Sequence, residues 1–169
     1  MRPTSQLTVI TGGIPEPAVD THVGGQVLST DFLNRYNEAL MLIEMSAQEP
    51  GLIADLRRWH PATYPEHFAQ SQLRCADGAI AAFRALPDES RGAFASLCRA
   101  MDQLVATVIT ALTEIRHPGD AVYIIDIAAT SFRNLLTRAT AFINSGGDMA
   151  EAAYSVIDVQ DAVDRIVAA

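Results

Sequence analysis

Apolar residues recur at steps of three and four along most of the chain from residue 30 onward, the spacing that lays one stripe along a helix. The clearest seam is Phe94, Leu97, Met101, Leu104, Val108, Ala111 and Ile115. It predicts a long helix opened by Pro87-Asp88-Glu89, reaching Arg116 and ended by His117-Pro118-Gly119. A second seam, Ile124, Ile125, Ala128, Phe132, Leu135, Leu136, Ala139, Phe142 and Ile143, predicts a helix capped by Asp120 and stopped after Asn144 by Ser145-Gly146-Gly147. A third, Met149, Ala152, Ala153, Val156, Val159, Val163 and Ile166, follows the capping-box spacing of Asp148 and Glu151 and predicts a helix almost to Ala169.

Upstream of these, Thr30 or Asp31 should cap a helix running to about Ala47, where Glu49-Pro50-Gly51 breaks it. A short helix from Leu52 to Arg58 stops at Trp59-His60-Pro61. Thr63-Tyr64-Pro65-Glu66 has the capping-box pattern and predicts a helix from Pro65 to Arg84. Residues 1–28 hold Gly12-Gly13, Pro15, Pro17 and Gly24-Gly25, with one possible strand at Gln6–Ile10 that has nothing to pair with. The expectation is an all-α, up-and-down helical bundle of five to six helices over 29–169, behind a poorly structured tail, extended, partly docked or mobile, over 1–28.

Composition supports this. The 27 alanines favour helix and close helix approach, and 49% apolar residues leave enough to bury in one domain of 169 residues. All 12 basic residues are Arg, against 20 acidic ones, for a net charge of −8. An acidic surface repels phosphate backbones and anionic lipid, so nucleic acid and membrane are poor partners, and no apolar run is long enough for a span or a signal peptide. The expected location is cytoplasmic. Without Lys there is no Schiff-base chemistry and no P-loop ammonium. Cys75 and Cys98 lie on apolar stripes, read as buried reduced thiols.

Two places gather more polar and adaptable side chains than a bundle needs. On the first helix Asn34, Asn37, Glu38, Met41, Glu44 and Met45 share one face, opposite a core stripe of Phe32, Tyr36, Ala39, Leu40, Ile43 and Ala47. Methionine among amides suits a binding surface, and equally an ordinary wet face. The second place is Trp59 to Phe68, which holds the only Trp, His60, Tyr64, Glu66 and His67. It reads first as a structural elbow with Trp59 plugging the bundle end, and second as a cleft lining.

Metal ligation would need His60 and His67 to converge across two prolines with Glu38 or Glu44, and no H-E-x-x-H or paired E-x-x-H is present. Neither a metal nor a cofactor is expected. Phosphotransfer on His67 lacks a nearby basic group, with Gln70 and Ser71 three and four residues on. No G-x-S-x-G surrounds any Ser. His117 beside a helix end, and Asp126 on the outer face with Thr130, Arg133 and Thr137, read as structural. The resulting expectation is a helical-bundle protein, a homo-oligomer or partner of another protein, that acts by protein or small-ligand contacts. The alternative is a small enzyme or sensor, metal-dependent in one version, with its site between helix 31–47 and the 59–68 elbow.

Overall fold

A computed structural model describes residues 27–117 and 119–169. Expectations for the tail up to Gln26, the Gln6–Ile10 strand included, fall outside that range. Among the described residues every regular element is helical: a 3-10 turn at Thr30–Leu33 leading into α1 (Asn34–Met45), a second at Pro50–Leu52 leading into α2 (Ile53–Leu56), then α3 (Tyr64–Ala69), α4 (Ala76–Ala85), α5 (Asp88–Glu114), α6 (Asp120–Asn144) and α7 (Val156–Val167).

The two long seams fold as their spacing dictates. Phe94, Leu97, Met101, Leu104 and Val108 of α5 are buried, as are Ile124, Ala128, Phe132, Leu135, Ala139 and Phe142 of α6. Phe94, near the start of α5, stacks on Phe142, near the end of α6, at 4.6 Å between ring centres. The two helices are therefore antiparallel. Tyr154, just before α7, meets Ser96 on α5, while Ile166 lies near Ile115 at the far end, so α7 runs parallel to α5. Phe32 packs 5.9 Å from Phe94 and Tyr36 bonds Asp102, which sets α1 parallel to α5 as well. α5 and α6 each pack against the other and against both α1 and α7. α5 is also long and apolar enough to cross a membrane by length and composition. Its apolar stripe is spent on the protein core, and Arg99 and Gln103 are exposed on its outer face.

Several boundaries differ from the sequence reading. Ser29, not Thr30 or Asp31, is the first cap: its hydroxyl accepts from the Asp31 N–H. Leu28, assigned to the tail, is buried in the core. Gly119 takes the cap position of α6, leaving Asp120 as its first residue. The helix expected over 65–84 is two helices. Gln70 closes α3 and the Ser71 hydroxyl accepts from the Leu73 N–H at 3.0 Å, a local bond that competes with the helical ladder.

The last helix starts later than expected. Asp148 makes no capping box; its carboxylate accepts from the Ala150 N–H, and residues 148–153 form turns with three-residue hydrogen bonds. Tyr154 then donates to the Ser96 carbonyl at 3.3 Å, which ties this stretch to α5, and Ser155 caps α7. Met149 and Val156, placed on the seam by spacing, are exposed. At the end of α6, Gly146 and Gly147 have φ of +76° and +97°, and their N–H groups bond Ile143 and Phe142 carbonyls. A side chain at Gly147 would also strike Leu86, whose Cδ2 lies 2.4 Å from the Cβ position.

Candidate functional site

The capping box at Thr63 and Glu66 starts α3 as the sequence requires, and Glu66 accepts from both the Thr63 N–H and hydroxyl. Those bonds hold the Glu66 carboxyl below its usual range. Tyr64, at the first turn, is thereby turned into the core. Its hydroxyl accepts from the Ser29 N–H at 2.7 Å and donates to the Ser29 carbonyl, fixing the start of the first helix to the start of α3. Burial pushes the Tyr64 phenol up to about 12.

The elbow before α3 is held by Arg35. Trp59 Nε1 donates to the Arg35 carbonyl at 3.0 Å, and the Arg35 guanidinium lies 5.3 Å from the Trp59 ring and 5.9 Å from the Tyr36 ring. One guanidinium nitrogen donates to the His60 carbonyl, while Nε is buried with no partner among the described residues. Trp59, half-buried, is thus fastened to the start of α1.

Four of the ten residues singled out by sequence contribute to two recesses on either side of this elbow. Glu38, Trp59 and His60 border the smaller recess, of about 490 Å³, with Arg35, Asp55 and Arg58. Tyr64 lines the other side. His67 belongs to neither; it is half-buried, edge-on to Phe32 at 5.6 Å and to Phe68 at 4.9 Å. Burial, and then the Arg35 charge, lowers its pKa. Glu44 pairs with Arg133 on α6. Asn34, Asn37, Met41 and Met45 are exposed on the outer face of α1. His60, Tyr64, His67 and a glutamate therefore do not converge, and no cluster of three His, Cys, Asp or Glu that could hold a metal occurs among the described residues.

The larger recess is a cleft of about 670 Å³ between the 61–66 segment and α5. Phe32, Tyr64, Phe83 and Phe94 form its floor; Tyr64 and Phe83 stack at 4.8 Å. Gly92 and Ala95 form the α5 wall, and a Cβ added at Gly92 would meet nothing within 4 Å. Glycine inside a helix costs about 0.5–1 kcal/mol relative to alanine. Here it leaves open space at this point of the wall. One turn further along the same wall stand Cys98, Arg99 and Asp102.

Behind them sits a buried polar group that sequence spacing did not single out. The Tyr36 hydroxyl, on a fully buried ring, donates to Asp102 Oδ1 at 2.9 Å. Burial raises the Asp102 carboxyl above its usual range, against the opposing pull of the Tyr36 hydrogen bond and the Arg35 charge. Burial also raises the Tyr36 phenol and pushes the Cys98 thiol up to about 12. Cys98 is half-buried as a residue, with its sulfur enclosed beside Tyr36, and Cys75 is exposed ahead of α4. The expectation of two buried thiols is corrected for Cys75, because the split between α3 and α4 leaves it outside the helical stripe. The only sequence signal for this group was Tyr36 itself, a phenol on a core stripe that needs a partner.

A groove of similar size, about 660 Å³, lies between the ends of α5 and α7. Its threonines are spent on their own helix, Thr107 bonding the Gln103 carbonyl and Thr110 that of Ala106. That groove has no aromatic residue in its lining, whereas the cleft is floored by four rings, which makes the cleft the stronger site for an apolar ligand. Set against models of protein families, characterised proteins and solved structures, the chain matches none of them.

Proposed function

We propose that this protein is a small-ligand binder whose site is the cleft between the 61–66 segment and α5. The observation that carries the reading is an open, aromatic-floored space beside a helix wall cleared by Gly92 and Ala95. Clefts of roughly 300–1,000 Å³ with apolar walls and a few fixed polar groups are the usual form of such sites. Binding, and not nucleophilic catalysis, is favoured by the acidities: the Cys98 thiol and the Tyr36 phenol both hold their protons at neutral pH.

The test uses a neutral apolar fluorophore, N-phenyl-1-naphthylamine, titrated into the full chain and into Gly92→Phe. The expected result is bound fluorescence in the wild type and its loss in the variant, with circular dichroism unchanged. Equal signals from both proteins, or none from the wild type, overturn the reading.

A second reading rests on α1, where Met41 is 50% and Met45 41% exposed on one polar face. That pair favours contact with a second copy of the chain. Sedimentation of Met41→Glu/Met45→Glu beside the wild type is expected to convert a dimer to a folded monomer, because the introduced charges cannot be desolvated cheaply across a symmetric contact. A monomeric wild type, or an unchanged dimer in the variant, removes it.

A further inference from the structure

We infer that the ligand of this cleft is dipolar: an apolar α-amino acid, with its ammonium on Asp102, its carboxylate on Arg99 and its side chain on the aromatic floor. The inference rests on the cleft being a ligand site and names the class of molecule it takes. The polar groups around the cleft divide into spent and open ones. Glu66 is used by Thr63, and Arg91 donates to the Arg84 and Leu86 carbonyls and pairs with Asp88. Asp102 has one oxygen occupied by Tyr36, which fixes the direction of its carboxylate and leaves the second oxygen open.

Arg99 has no hydrogen-bond partner and no carboxylate within 4.0 Å among the described residues. Arg99 and Asp102 are three residues apart on α5 and line the same cleft, a spacing at which helix side chains are neighbours. Yet they do not pair with each other.

Charge complementarity then selects the occupant. An anion alone would meet Arg99 but lie beside the Asp102 carboxylate; a cation alone would meet Asp102 but lie beside the Arg99 guanidinium. A molecule that carries both charged groups on one carbon satisfies the two side chains together, and each contact is charge-assisted. Its third substituent is directed to the rings of Phe32, Phe83 and Phe94, which accept an apolar or aromatic group.

The experiment is calorimetric titration of the full chain with L-phenylalanine, phenethylamine and 3-phenylpropionate, which share a ring and differ in charge. Phenylalanine is expected to bind about tenfold or more tightly than either analogue, the loss associated with one charged hydrogen bond. Arg99→Gln should bring phenylalanine down to the level of the amine, and Asp102→Asn, which still accepts from Tyr36, to the level of the acid. Thermal melts of both variants check that they fold. If phenylalanine does not bind, or if one analogue binds as well as phenylalanine, the dipolar ligand is wrong. Fluorophore binding that is lost in Gly92→Phe would still sustain the cleft itself, so the two failures are distinguishable.

Discussion

Between α5 and α6 the protein is held by apolar surface, and around the elbow it is held by individual polar atoms. The long helices meet through Leu97, Met101, Leu104, Phe132 and Ala139, all buried, and side-chain hydrogen bonds across α5 and α6 play little part. Across the elbow, by contrast, Tyr64 clamps Ser29, Trp59 and Arg35 exchange contacts, Arg35 reaches the His60 carbonyl, and Tyr36 reaches Asp102. The difference follows from backbone supply. A helix satisfies its own N–H and C=O groups, so its side chains are free to be apolar, whereas residues 60–63, between α2 and α3, lie outside any ladder and take side chains as partners. Apolar packing tolerates many pairings; single hydrogen bonds fix direction. The candidate site lies where the two regimes meet, with α5 as one wall and the elbow as the other.

That contrast is sharpest in a pair of core substitutions. Met101→Ala, at the middle of the α5 seam and fully buried, is expected to lose about 2–5 kcal/mol in urea unfolding through the cavity it leaves. Asp126→Ala, on the exposed face of α6, should stay within about 0.5 kcal/mol. A smaller loss at Met101 than at Asp126 would mean that the long helices are not held by their seams.

Tyr36→Phe probes the polar regime and should cost less, about 1–2 kcal/mol, since it removes one hydrogen bond to a half-buried carboxylate while keeping the ring. It should also raise the Asp102 pKa further in an NMR titration, because the hydroxyl now opposes the effect of burial. An unchanged Asp102 titration would show that the bond does not form in solution.

What the sequence made legible follows the same division. Periodicity placed α5 and α6 to within a few residues, because a step of 3.6 is enforced by the backbone over many turns. The break after α3 was missed because Gln70-Ser71-Gln72 has no Gly or Pro; the Ser71 hydroxyl ends the helix through a local bond. The late start of α7 was missed because Tyr154 docks on Ser96, 58 residues away. Trp59, Tyr64 and His67 stand out in the sequence as an unusual cluster, read as an elbow or a cleft lining. Arg35 and Asp102 do not, since each looks like an ordinary helix-surface charge until a distant residue pairs with it. Gly92 carries a signal of another kind: an exposed glycine inside a long helix, off its apolar seam, with no turn to make.

Gly92→Ala is therefore the next test in size. With open space at the Cβ position and a helical backbone, it should stabilise the protein by about 0.5–1 kcal/mol, by restricting the unfolded chain. A gain in stability accompanied by weaker fluorophore binding would show that the glycine is kept for the cleft. A loss of stability would show a close approach that the structure does not contain.

The smallest effect expected is one of pH, and it belongs to the elbow side alone. His67 is held below the usual histidine value of 6.5 by burial and then by Arg35, with Asp31 opposing. Between its folded value and about 6.5 the unfolded chain therefore binds a proton that the native protein does not. Stability rises with pH in that window and is lost as pH falls through it. Asp102 acts in the opposite sense, since burial raises its pKa and acid relieves the cost of its charge. Glu66, whose carboxyl is lowered, loses its contribution only below its unfolded value of 4.5. Lowering the pH from about 7 to about 5.5 should thus lower the melting temperature of the wild type, and His67→Phe, which fits a ring already edge-on to Phe32 and Phe68, should reduce that drop. The same drop in both proteins would place the acid-sensitive group elsewhere than in this aromatic cluster.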